Sequence, residues 1–179
     1  MRKCGVLPGA LLAALAFAMS VGAAGAADIP NRLGVEGPVV ARVHATGFQI
    51  YTLKADAAGK PGWTLTAPEA TFEGENGLKG KHSEGPTWES TIDGSKVVGM
   101  KLAEEPSPDA GAIPWLLLKA KSHEGKGVFS GVTFIQRINT VGGVAPKVGD
   151  AKAGEMARVA YSADYVFYGA GATTRPGQP

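Results

Sequence analysis

Residues 70–82, ATFEGENGLKGKH, decide the fold. Ala70-Thr71-Phe72 and Leu78-Lys79-Gly80-Lys81-His82 flank the reversal Gly74-Glu75-Asn76-Gly77. Asn-Gly is a strong hairpin signal because both positions accept positive φ. The arrangement recurs outward in both directions. Downstream, Pro86-Thr87-Trp88-Glu89-Ser90 and Lys96-Val97-Val98-Gly99-Met100-Lys101-Leu102 flank Asp93-Gly94-Ser95, residues that suit a turn. Upstream, Phe48-Gln49-Ile50-Tyr51-Thr52-Leu53 alternates with a period of two, so Phe48 and Ile50 share one face and Gln49, Tyr51 and Leu53 the other. Ala45-Thr46-Gly47 before it reads as a tight turn or a bulge. Residues 56–62 read as a loop into Trp63-Thr64-Leu65-Thr66, and Ala67-Pro68 is expected to end that strand because proline lacks the ladder donor.

Toward the C-terminus, residues 113–120 form a strongly apolar strand, buried on both faces if alternation is taken literally. Residues 128–138 are either one long strand or a strand broken near Gly131, and Tyr161-Ser162-Ala163-Asp164-Tyr165-Val166-Phe167-Tyr168 closes the domain. No stretch gives a long amphipathic helix; a short one has room only at residues 106–112 or 152–156. Many short strands separated by turn chemistry predict a single all-β domain, sandwich or barrel-like and mainly antiparallel, over residues 28–168. The Gly/Pro/Thr-rich residues 169–179 are expected to be a disordered tail.

Residues 1–27 are built like a cleaved signal peptide. Arg2 and Lys3 precede a short apolar run, and Ala24-Gly25-Ala26 or Gly25-Ala26-Ala27 offers the small residues that signal peptidase requires, with cleavage near Ala26 or Ala27. The run is shorter than the ~20 apolar residues of a membrane-spanning helix. The expected location is periplasmic or secreted, with no stable membrane span. Removing Arg2 and Lys3 from the 18 basic residues leaves 16 against 16 acidic ones, and no basic cluster suggests nucleic acid as a partner. Cys4, the single cysteine, leaves with the signal, so the mature chain needs no disulfide.

The blocks Val35-Glu36-Gly37-Pro38-Val39, Ala45-Thr46-Gly47-Phe48-Gln49-Ile50-Tyr51, Gly85-Pro86-Thr87-Trp88-Glu89, Ile113-Pro114-Trp115-Leu116-Leu117-Leu118, Ile135-Gln136-Arg137-Ile138-Asn139-Thr140-Val141-Gly142-Gly143 and Tyr161 to Tyr168 together resemble the DUF3455 family of exported bacterial and fungal proteins. The resemblance covers nearly the whole mature domain and implies no settled activity. Some members bear the label malate dehydrogenase, but no dinucleotide fingerprint sits here between a strand and a helix. Many relatives carry cysteines where this chain has Leu53 and the Val148-Gly149 region, so a bridge in them becomes an apolar contact here.

The candidate chemistry is sparse. No metal-ligand spacing is present among His44, His82 and His123, and nothing specifies a cofactor. His82, with Glu84 close in sequence, is the best general-base candidate, set against a plain role as a satisfied polar residue at a strand end. Gln136 and Arg137 must point to opposite faces. Asp164 is a natural partner for Arg137, either as a pair pinning two strands or as part of a pocket whose Arg fork grips a carboxylate or sugar hydroxyls. Trp63, Trp88 and Trp115, with four tyrosines, offer a stacking platform or ordinary core, and Trp88 is the tryptophan expected to be exposed.

Two functions stay open. The leading one is a non-enzymatic binding or structural module of the envelope or extracellular space, taking a small polar or carbohydrate ligand through Gln49, Trp88 and Gln136. The alternative is a hydrolase or isomerase built on His82, Arg137 and Asp164. A binding module needs an exposed aromatic patch or groove containing Trp88, and an enzyme needs a concave pocket where His82 meets a carboxylate, with a perturbed pKa there.

Overall fold

The computed structural model describes Met1, Pro30 and residues 33–175. The signal-peptide and cleavage expectations for residues 1–27 lie outside the described residues, apart from Met1. Eight strands form a closed antiparallel barrel: β2 (Val39–Ala55), β3 (Pro61–Gly74), β4 (Lys79–Ser83), β5 (Thr87–Ser90), β6 (Lys96–Glu105), β7 (Trp115–Glu124), β8 (Phe134–Gly142) and β9 (Met156–Tyr168). Each pairs with the next, and β9 closes onto β2 along nearly its full length. Of the two layouts the sequence permits, the barrel is the one adopted; closure removes the long edges a sandwich leaves open.

The period of two explains the filling. Val43, Ala45, Phe72, Trp88, Leu118, Tyr165 and Phe167 belong to one buried cluster inside the wall. The alternate positions Arg42, His44, Glu73, Lys79, Lys81 and Lys119 are exposed. Small residues make room for rings: a Cβ on Gly80 would lie 2.2 Å from Phe72 Cζ and 2.1 Å from Glu89 O, so Phe72 fits only because this position is bare.

One end of the barrel is plugged. Phe129, fully buried, packs on Phe167 with ring centroids 4.7 Å apart. Asp93 latches this plug. Its Oδ1 accepts from Ser95 N (2.9 Å) and Ser95 Oγ (2.7 Å), its Oδ2 accepts from Val128 N (2.9 Å), and Ser95 Oγ accepts from Phe129 N (3.1 Å). Gly127, at φ +155, lies so close to Asp93 that an added Cβ would meet its carboxylate at 2.3 Å. These donors hold the Asp93 carboxyl down at about 2, the Val128 N–H most of all.

A strap covers the outer face of β6 to β9. β1 (Val35–Glu36) pairs with β10 (Thr173–Thr174), and Leu33 and Val35 join Ala103, Trp115, Leu117, Ile138, Val166 and Tyr168 in a second buried cluster. The apolar run in β7 therefore has two burial faces: Leu118 faces the interior and Trp115 and Leu117 face the strap. Gln136 fastens the strap: its Nε2 donates to Leu33 O, and its Oε1 accepts from Tyr168 OH at 2.6 Å.

Several local expectations are corrected. Ala45-Thr46-Gly47 is uninterrupted strand; the irregularity falls at Ile50/Tyr51, where β3 carries an extra residue. Pro68 does not end β3, which runs to Gly74. At Pro68 the strand is paired only with β2, since β4 first pairs at Ala70, so its missing donor costs the sheet little beside an existing bulge. Of the two options for residues 128–138, the break is taken: the Phe129 plug precedes β8. Residues 106–112 and 152–156 form no helix. The supposed tail carries β10, and Arg175 N donates to Gly34 O at 3.2 Å. Leu53 is buried and tied through its backbone to Gly154 and Glu155.

The wall is incomplete on one side. β4 and β5 are short, and their turn at Gly85-Pro86 ends well below the tips of their neighbours. β5 pairs with β6 only from Lys96 to Val98, and Gly99 N donates to Pro86 O at 2.9 Å. Residues 61–69 of β3 and 100–105 of β6 thus have one paired neighbour each and bound a notch above that turn.

Candidate functional site

The notch opens into a cavity of about 180 Å³ inside the barrel, on the side opposite the Phe129 plug. Leu65 to Pro68 line one margin, Gly85 and Pro86 the floor, and Lys101 the other margin; Gln49, His82, Trp88, Leu116, Leu118, Arg137 and Tyr165 form the interior lining. Strand register accounts for the meeting. His82 pairs with Trp88, Arg137 with Tyr165, and Gln49 with Pro68, so alternation sends these side chains to the inner face together.

His82 is 3% exposed. Its ring stacks on Trp88, with centroids 4.3 Å apart and planes 9° from parallel, and meets Tyr165 edge-on at 5.1 Å. Nδ1–H donates to Thr87 O at 2.9 Å, which fixes the tautomer and leaves a lone pair on Nε2. Burial drives its pKa down from the ordinary 6.5 to about 3; the Thr87 carbonyl opposes the shift and the Arg137 cation adds to it. The imidazole is neutral throughout the physiological range.

Arg137 Nε and Nη2 donate to Pro114 O at 3.1 and 2.8 Å. Among the described residues no carboxylate lies within ion-pair distance of its guanidinium. Lys101, by contrast, is neutralised at the margin by Glu104 at 2.7 Å. The Arg137 charge acts on the interior as a whole: it lowers the pKa values of Tyr51, Tyr161 and Tyr165, which burial raises more strongly.

The interior also holds buried polar atoms with no hydrogen-bond partner among the described residues: Gln49 Nε2, Trp88 Nε1 and the hydroxyls of Tyr161 and Tyr165. The two hydroxyls feel one another electrostatically without making a hydrogen bond of ordinary geometry. Such groups are uncommon in native interiors because each gives up its water for nothing.

Of the sequence candidates, Gln49, His82, Trp88 and Arg137 converge. Trp88 is 1% exposed, so the expectation of exposure is wrong; its ring fills the barrel under the notch. Gln136 faces the strap and has both ends of its amide engaged there. Asp164 does not reach Arg137. Arg137 pairs with Tyr165 and shares its inner face, so the neighbouring Asp164 points outward. There it accepts from His44 Nδ1 at 2.7 Å and Asn139 Nδ2 at 2.8 Å. His123 Nε2–H donates to Val132 O at 2.7 Å beside the plug. The tryptophans form no common platform, since Trp115 lies under the strap and Trp63 near the far end of β3. Among the described residues no group of three or more His, Cys, Asp or Glu is placed to hold a metal, and no helix is long and apolar enough to cross a membrane.

The notch margin, Leu65 to Pro68 with Gly85 and Pro86, was not anticipated. Its signal in the sequence is a hairpin turn that arrives early, leaving β4 and β5 shorter than the runs around them.

Residues 71–169 match the family described as Protein of unknown function (DUF3455), and the chain belongs to that family. No curated protein and no solved structure matches the chain.

Proposed function

We propose that this barrel is a non-enzymatic binding module that takes a small organic ligand through the notch, and that it works in the periplasm or outside the cell. One observation carries the binding reading: a cavity of about 180 Å³ with apolar walls and an arginine that has no counterion among the described residues. A cavity of ~150 Å³ holds one benzene, so the space suits a single ring or a short chain. Apolar walls with a few convergent polar groups are the usual build of a ligand site. The signal-like residues 1–27 support the location.

The general-base alternative is less well supported. An imidazole with a pKa of about 3 is a weak base at neutral pH, and the carboxylate it would share with Arg137 faces outward.

The test is a thermal-shift and calorimetric panel of single-ring acids, amides, alcohols, amines and monosaccharides on the mature protein. Wild type is compared with Leu116→Trp, which fills the cavity. Binding to wild type and its loss in the filled variant support the proposal. No shift with any compound assigns the barrel a structural role instead. Mass analysis of the exported protein, with an N-terminus at Ala27 or Asp28, tests the location.

A further inference from the structure

We infer that the cavity selects a small ring-bearing organic anion, a monocarboxylate in particular, with its charged group at Arg137 and its ring on the wall made by Trp88, Leu116 and Leu118; this rests on the binding proposal above.

The case comes from an inventory of donors and acceptors. Arg137 is the one cation at the inner lining, and Lys101 at the margin is already paired. Of its five N–H groups, two are spent on Pro114 O, which orients the plane; the guanidinium also interacts with the Tyr165 side chain, and N–H groups remain for a ligand. Gln49 Nε2, Trp88 Nε1 and the Tyr165 hydroxyl are unpartnered but lie buried behind the lining rather than open to it, so recognition of a charged group falls to Arg137. The acceptors at the lining are His82 Nε2, on a ring whose other nitrogen is committed to Thr87, and the Gln49 amide oxygen. The guanidinium repels an ammonium group and can meet a carboxylate with two parallel charge-assisted hydrogen bonds.

Charge points the same way. A half-buried guanidinium with no counterion among the described residues is in a costly state that a bound anion relieves. The remaining lining is apolar and flat, and about 180 Å³ admits little beyond one ring with its charged group. A carboxylate without a ring reaches the arginine but leaves the Trp88 wall uncovered. A neutral ring covers the wall but leaves the Arg137 guanidinium without a counter-charge.

Benzoate is the probe, at pH 7.5 and low salt, measured by calorimetry against benzamide, benzyl alcohol, benzylamine and acetate. The expected order is benzoate tightest, benzamide and benzyl alcohol at least about tenfold weaker, and benzylamine and acetate undetectable. Arg137→Lys keeps the charge, loses the fork, and is expected to weaken benzoate about tenfold while leaving benzyl alcohol unchanged. Should that variant misfold, the ligand series on wild type decides alone. Benzyl alcohol binding as well as benzoate overturns the anion preference and leaves the cavity as a neutral-ring site. No ring compound binding at all overturns the inference together with the proposal on which it rests.

Discussion

Acidification should destabilise this barrel through one side chain. His82 is buried, neutral and stacked on Trp88, with its pKa pushed from 6.5 to about 3. Between these values the unfolded chain binds a proton at His82 and the folded chain does not, so stability rises with pH across this window. His82 keeps its full contribution above pH 6.5 and loses it progressively as pH falls toward 3. A tenfold rise in proton concentration within that window costs about 1.4 kcal/mol, which places the loss near 2 kcal/mol by pH 5 and about 4 kcal/mol at pH 3. The assay is urea unfolding of wild type and His82→Phe at pH 7.5, 6, 5 and 4. Phenylalanine preserves the stacking area but leaves Thr87 O without its donor, so the variant starts weaker by about 1–3 kcal/mol at neutral pH. The informative quantity is the gap between the two proteins, which should shrink by about 2 kcal/mol between pH 7.5 and 5 and then reverse sign. Taking the difference cancels the carboxylates, including Asp93, whose own window lies lower, between 3.8 and about 2. A gap that stays constant across the series would show that His82 titrates normally in the folded state, and the account of a dry, arginine-facing imidazole would be wrong.

Two further perturbations address the plug and the strap. Asp93→Ala removes the acceptor for three hydrogen bonds at the closed end and should cost about 1–3 kcal/mol in urea unfolding, with faster amide exchange at Val128 and Phe129; unchanged exchange there would disprove the latch. Gln136→Leu leaves Leu33 O and Tyr168 OH unpartnered. It should raise the rate of proteolytic cleavage ahead of Val39 several-fold while benzoate affinity holds, and a change in affinity instead would return Gln136 to the ligand site.

The all-β class was legible because alternation and turn chemistry are local: the Asn76-Gly77 and Asp93-Gly94 reversals fall between the expected strands. Closure into a barrel was not, since the β9 to β2 pairing joins segments more than 100 residues apart and no local pattern specifies it. Half of the site was legible for the same reason. His82 and Trp88 share one hairpin, so their meeting follows from a short-range register. The supposed Arg137–Asp164 pair failed by a single residue of register, because a shift of one reverses the face of every side chain. Trp88 was misplaced because its polar neighbours, Thr87 and Glu89, belong to the opposite face of the same strand. The apolar outer face of β7 was seen, but its cover came from Leu33 and Val35, which the sequence presents as an ordinary polar lead-in.

The short β4–β5 hairpin has a consequence for exchange rates. With one end stoppered by Phe129 and the flank cut away above Gly85-Pro86, a ligand of the proposed kind would enter and leave without any strand separating from its neighbour. The residence time of such a ligand would be governed by its fit rather than by breathing of the host. Two more residues on each arm of that hairpin would finish the palisade and turn an open cup into a sealed capsule, slowing release without altering a single contact inside.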